Sequence, residues 1–239
     1  MLFFYIRHGD PTYKPDELTP LGRRQAEAVA KRLALYGIDR IYSSTSNRAY
    51  ETALPTAELL KKEVTQLDFC HEHHAYMEMS VINAEGKRTW AFGSPEYRRL
   101  FMQPDVLALG QQWYDHPAFA DHPTFKSSVG RVNGEVDALF ATLGYEHDRA
   151  TGTWRAAAPT EERIALFAHQ GFGMSFLSSV LDIPYPLFAT HFDMSHTGMT
   201  VIEFKDHDGI AVPKVLTLAN DSHLYREGLP TRYHNVIRF

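Results

Sequence analysis

The sequence predicts a three-layer α/β/α fold, a mostly parallel central sheet covered by helices on both faces with a cap region inserted at about 80–125. Three observations carry this expectation. The runs Met1 to Ile6, Arg40 to Ser43 and Arg163 to Ala168 have the length and the β-branched or aromatic content of strands buried on both faces. Segments with apolar residues at helical spacing alternate with them. Two of the runs end in titratable residues, Arg7-His8-Gly9 and His169, and in an open α/β sheet ligand groups gather where strands end.

Taken in order, the first strand leads to a helix over Leu21 to Tyr36. Thr19 caps it, Pro20 occupies its first turn, Ala26, Val29, Ala30 and Leu33 form its apolar stripe, and Gly37 ends it. The strand Arg40 to Ser43 runs into Ser44 to Arg48, where Ser46 is placed to cap a helix from Asn47 to about Lys62 that Pro55 is expected to bend. Val64 to Phe69 reads as a further strand that ends before Glu72. Ser80 to Phe125 is rich in aromatics and prolines without clean periodicity, which suits an insertion that covers the crevice and sets substrate choice.

Ser127 to Leu143 returns to helical spacing through Val129, Val132, Val136, Leu139, Phe140 and Leu143. Gly144 to Glu162, with Gly152 flanked by threonines, reads as an exposed excursion. Gly171 to Leu181 is the expected helix behind His169, with Gly171 and Gly173 letting the backbone approach an anion. Thr200 to Phe204 and Val215 to Leu218 complete the sheet.

Composition narrows the function. At 239 residues and 44% hydrophobic, the chain suits a single domain over 1–239 with one sizeable core and a small cap. No apolar stretch is long enough to span a bilayer, and the opening run is cut at Arg7, too soon for a signal peptide. Cys70 is the sole cysteine, so no intrachain disulfide forms and a cytoplasmic setting is expected. A net charge of −5 argues against a nucleic-acid partner. The positive charge acts locally: Arg7, Arg48 and the N-terminus of the helix at Asn47 describe a phosphate seat, since guanidinium forks and helix N-termini both favour anions.

At these residues the chain resembles the histidine phosphatase superfamily, also called phosphoglycerate-mutase-like. Arg7-His8-Gly9 is similar to its RHG signature, and Leu18-Thr19-Pro20-Leu21-Gly22 with Gln25-Ala26 to the helix start that follows. Ser43-Ser44, Arg48-Ala49 and Thr52-Ala53 resemble its second segment, and Ala168-His169-Gln170-Gly171 its second histidine motif. Four matches in the family's order form a specific signal.

The resemblance implies a phosphatase that needs no cofactor or metal and hydrolyses a small phosphomonoester. His8 is the expected nucleophile, neutral because Arg7 and Arg48 depress its pKa, with its other ring nitrogen fixed by an acceptor such as a backbone carbonyl. Arg7, Arg48, His169 and Gln170 would bind the phosphate, with Gly9 nearby; Thr197 and His196, just before a late strand, are placed to line the crevice rim. The family's leaving-group acid follows a leucine in an L-x-E setting, where this chain has Phe69-Cys70-His71-Glu72; Glu72 is the expected acid and Glu78 the reserve. Asp10 to Lys14 replaces the pattern of the family's mutases, so mutase activity is not expected, and Gln170 stands where a glycine is common.

Other readings stay open. The run Cys70-His71-Glu72-His73-His74 is dense in zinc-type ligands, and a metal-dependent hydrolase would use His8, Asp10, His71 or His73, and His169. A non-catalytic module would keep the seat to bind a phosphorylated ligand. Arg48 has Glu51 as an ordinary helix partner, and Lys87, Arg88, Arg98 and Arg99 could hold a second anionic group. The expected partner is a small phosphorylated metabolite, not a nucleic acid or a membrane, with a homodimer left open.

Overall fold

The first strand, β1 (Leu2–Arg7), is fully enclosed from Phe3 onward, as its unbroken apolar run requires. In this computed structural model, which describes residues 1–231, the chain continues through a hairpin, β2 (Pro11–Tyr13) and β3 (Asp16–Leu18), into α1 (Pro20–Tyr36). Thr19 caps α1 by accepting the Gly22 N–H, and Gly37 ends it at a φ of 72°, where a side chain would be strained. Next come β4 (Arg40–Ser44), α2 (Asn47–Leu60), β5 (Val64–Leu67) and α3 (Glu72–Met79), then a hairpin of β6 (Ser80–Ile82) and β7 (Arg88–Trp90). Short helices α4 (Pro95–Phe101) and α5 (Pro104–Ala108) precede the long α6 (Pro123–Thr142). The remainder is β8 (Tyr145–Asp148), β9 (Thr153–Ala156), β10 (Arg163–Ala168), α7 (Gln170–Leu181), α8 (Tyr185–His191), β11 (Met199–Glu203), β12 (Asp206–His207), β13 (Ile210–Ala211), β14 (Lys214–Asn220) and α9 (Ser222–Arg226).

The central sheet has the order β14-β11-β1-β10-β4-β5. β1, β10, β4 and β5 pair in parallel, and β11 runs against β1 and β14, so one strand is reversed in a mostly parallel sheet. α1 and α2 close one face over Phe4, Ile6, Ile41, Ala165 and Phe167. α6 and α7 close the other, where Phe3 meets Phe140 and Phe176 at ring separations of 5.0 and 5.7 Å. Three parallel strands thus deliver Arg7, Ser44 and Ala168 to one edge, and the loops that follow carry His8, Arg48 and His169.

Two expectations need correction. Gly144 to Glu162 is not an exposed excursion: β8 and β9 join β13 and β12 in a second, four-stranded sheet, and Tyr145 and Trp154 are fully buried. Its strands bury single large aromatics rather than an apolar run, and a pattern search misses that. Ser46 sits at the N-cap of α2 but makes no capping bond with its side chain. Its hydroxyl donates to Asp16 Oδ2, which also accepts the Asn47 N–H, so Asp16 caps the helix from the neighbouring hairpin. The segment 91–125 lacks periodicity because it folds around an aromatic cluster. Trp113 lies 5.2–5.6 Å from the rings of Phe101, Phe119, Phe125 and Tyr185.

Candidate active site

The backbone sets His8 before its side chain matters. His8 N–H donates to Ala168 O at 2.9 Å, and Thr197 N–H is shared between the carbonyls of Arg7 and His8 at 3.1 and 3.3 Å. Gly9 N–H donates to Thr52 Oγ1, whose own hydroxyl donates to Arg48 O, so the His8 loop and the first turn of α2 are locked together. A Cβ on Gly9 would lie 2.7 Å from Gly22 O, so the close approach of this loop to α1 requires glycine.

The His8 imidazole is almost wholly buried. Its Nδ1 lies 2.7 Å from Gly9 O, which requires the proton there and leaves Nε2 as the lone-pair nitrogen. Arg48 Nε donates to that Nε2 at 3.2 Å. Burial first, then His169, Arg7 and Arg48, hold the His8 pKa well below the imidazole range, so the ring is neutral. His169 is treated alike, with burial followed by Arg48 and His71 as the causes. Its Nδ1 faces Arg48 Nη2 at 3.1 Å, its Nε2 faces Ser44 Oγ at 2.9 Å, and its ring is 5.2 Å from that of His8.

Charge is concentrated around these two rings. Arg48 is tied through Nη1 to Asp16 at 2.7 Å, and Arg7 donates to Met194 O and faces His196 Nε2 at 3.1 Å. On the far side of the cleft, Glu72 accepts the N–H groups of Gly171 and Phe172 at 3.0 and 2.9 Å, one on each oxygen. Burial raises the Glu72 pKa, opposed by those two N–H groups and by Arg48 and Arg7. Each carboxyl oxygen has two lone-pair sites, so the carboxyl can hold a proton without giving up either bond. The cleft, of about 420 Å³, is lined by Arg7, His8, Tyr13, Arg48, His71, Glu72, His73, Tyr76, Trp90 and Gln170.

Residues 3–100 match the model of the histidine phosphatase superfamily, branch 1. The N-terminal part of the chain is thus similar to that superfamily. Over 133 residues it is 31% identical to putative phosphoserine phosphatase 2 of Hydrogenobacter thermophilus, a match covering 52% of this chain and 58% of that relative's length. Among solved structures, a phosphoserine phosphatase mutant from Entamoeba histolytica in complex with phosphoserine superposes with a TM-score of 0.57 at 19% identity, covering 93% of this chain and 98% of that one. A mycobacterial glucosyl-3-phosphoglycerate phosphatase gives 0.57 at 18%, over 91% and 98% of the two chains. These likenesses are of fold alone and extend beyond the residues matched by the family model.

Within this fold, the residues expected from sequence do not all converge. Arg7, His8, Arg48, His169 and Glu72 do. Gln170 lines the cleft, but its side-chain amide is bonded to Asp193. Glu78 does not line the cleft; it forms a two-point pair with Arg131, which, with Ser128, outweighs burial and lowers its pKa. Thr197 is fully buried behind the site, with its hydroxyl on His196 O and His223, so it braces the backbone rather than lining the rim. Arg48 pairs with Asp16 and not with Glu51, which accepts from Leu18 N–H and Arg23.

The side chains of the His-rich run take separate partners, although His71, Glu72 and His73 all line the cleft. Cys70 enters the core, His71 Nδ1 accepts His73 N–H, His74 meets Asp68, and Glu72 caps α7. The anion at the N-terminus of α7 is therefore Glu72. Gly171 and Gly173 serve packing instead, since a Cβ on them would strike Trp90 at 2.3 Å and Met194 or Tyr5 at 2.5–2.7 Å. Sequence reasoning missed Asp16 and gave no role to Ser44 or Thr52. The last two lie inside the matched segment, whereas Asp16 carries no signal beyond its hairpin.

Proposed function

We propose that this chain is a phosphoric monoester hydrolase that cleaves small phosphorylated metabolites through a phosphohistidine on His8. The observation that supports the reading best is the tautomer of His8: Nδ1 is committed to Gly9 O, and the neutral Nε2 sits at the cleft between two arginines. A phosphoryl oxygen takes over the Arg48 Nε hydrogen bond, and the freed lone pair attacks phosphorus. The P–O bond to the leaving alcohol breaks as Glu72 passes its proton to the departing oxygen. Arg7, Arg48 and His169 stabilise the equatorial oxygens. In the second half, Glu72 accepts a proton from water, the water oxygen attacks phosphorus, and the P–N bond breaks to release phosphate.

The arginines supply the charge a metal would otherwise bring, so the reaction is proposed to be metal-independent. Residues 80–125 are proposed as the cap, because Trp90 from that segment lines the cleft. A cytoplasmic setting completes the proposal and fits the buried, unpaired Cys70; among the described residues no helix is long and apolar enough to cross a membrane.

Steady-state turnover of 4-nitrophenyl phosphate after exhaustive chelation tests this. We expect undiminished rates for the native chain and a loss of at least about 10³-fold in His8→Ala. Collapse on chelation with recovery on adding zinc or manganese would contradict it.

A further inference from the structure

We propose that the cleft selects monoesters whose leaving group is uncharged and carries a planar apolar ring, an inference that rests on the phosphatase reading of the same site. Two independent features support it: the distribution of charge and the construction of the wall.

Among the described residues lining the cleft, the arginines are Arg7 and Arg48, and no lysine lines it. Both arginines belong to the phosphate seat beside His8, and Arg48 already carries Asp16. The other acidic groups at the cleft are Glu72 in the wall, the proposed proton donor, and Asp193, which accepts from Gln170. The basic residues of the cap do not reach the cleft. Arg88 donates to Ser80 and Arg98 to Thr190 O, both outside it. His71 does line the cleft, but burial, His74 and Arg48 lower its pKa; its Nδ1 accepts the His73 N–H, which puts the ring proton on Nε2 as a neutral donor. A carboxylate on the leaving group would enter without an arginine or lysine beyond the phosphate seat to pair with, an unfavourable exchange for its hydration.

What the wall offers instead is aromatic surface held in place. Trp90 stacks on Phe92 at 5.3 Å and 26°, meets Tyr76 edge-on at 5.2 Å, and rests its benzo edge on the Gly171 backbone. Tyr13, on the β2–β3 hairpin, has its ring centre 5.3 Å from Arg48 Cζ, beside the phosphate seat. Rings fixed before binding lose little freedom on contact, so a planar apolar group gains from them at low cost.

The test is kcat/KM of the full chain for benzyl, ethyl and O-seryl phosphate. All three release an alcohol that needs protonation, so the comparison does not reduce to leaving-group basicity. We expect benzyl phosphate to exceed both others by about tenfold or more, a discrimination within the reach of an apolar pocket. The benzyl-to-ethyl ratio should fall at least about fivefold in Tyr76→Ala and in Trp90→Leu, whatever happens to the absolute rates. Phosphoserine matching or surpassing benzyl phosphate, or an unchanged ratio in both variants, overturns the inference while His8-dependent turnover keeps the phosphatase reading. Turnover of no ester removes both.

Discussion

At Glu72 a structural contact and the proposed acid role fall on one side chain. Its carboxyl caps α7 through two backbone N–H groups, yet burial keeps its pKa above the usual carboxylate value, as an acid in the cleft requires. The two roles separate by leaving group. An alkoxide must be protonated as it departs and a nitrophenolate need not be, so Glu72→Gln should cost an alkyl phosphate about 10²-fold or more in kcat and 4-nitrophenyl phosphate far less. Parallel rates on both esters read this out, and equal losses would reduce Glu72 to a cap. His8 and His169, which the sequence places at strand ends, do come together, with ring centres 5.2 Å apart. Local sequence did not reveal side-chain partners that lie on distant elements. Arg48 takes its carboxylate from a hairpin 32 residues earlier, and Glu78 is removed by Arg131, 53 residues on. Neither pairing leaves a trace in local spacing.

Among the elements, the β8–β9 hairpin departs furthest from expectation, and its anchoring explains why it is ordered. The His147 ring is enclosed, stacks on Trp154 at 3.9 Å and 15°, and bridges Asp137 and Asp182 at 3.1 and 2.5 Å, while Arg149 adds a second contact to Asp137. This network ties the hairpin to α6 and to the residue ending α7. Removing the ring leaves two partly buried carboxylates without their common partner, so His147→Ala should lower unfolding free energy by about 3 kcal/mol in denaturant titration. A change under about 0.5 kcal/mol would show the network to be surface decoration. By contrast, α1, α2 and α7 were legible to within a residue or two, because apolar residues run through each and polar or glycine residues mark an end.

For the molecule as a whole, buried neutral histidines make stability depend on pH with a definite sign. His223, wedged between Arg32 and Thr197, has its pKa lowered by burial and by Arg32 to about 4. Above the ordinary value of 6.5 the ring is neutral in both folded and unfolded chains, so its contribution is intact. As pH falls from 6.5 towards 4, the unfolded chain takes up a proton that the folded one refuses, and up to about 3 kcal/mol is lost. His8 and His169 add in the same direction. Thermal unfolding should therefore show Tm falling between pH 6.5 and 4, less steeply in His223→Gln; identical slopes would contradict the sign. The architecture itself was readable because strand runs and helix stripes alternate along the chain, while the second sheet and the internal packing of residues 91–125 were not, since both rest on isolated large rings. The central claim is covalent transfer to His8. Mixing the chain with a ³²P-labelled monoester, quenching in alkali to preserve the acid-labile P–N bond, and mapping the peptides tests it most directly: the account predicts label on the peptide containing His8 and none in His8→Ala, whereas label on another residue, or turnover by Glu72→Gln with no trapped intermediate, would contradict it.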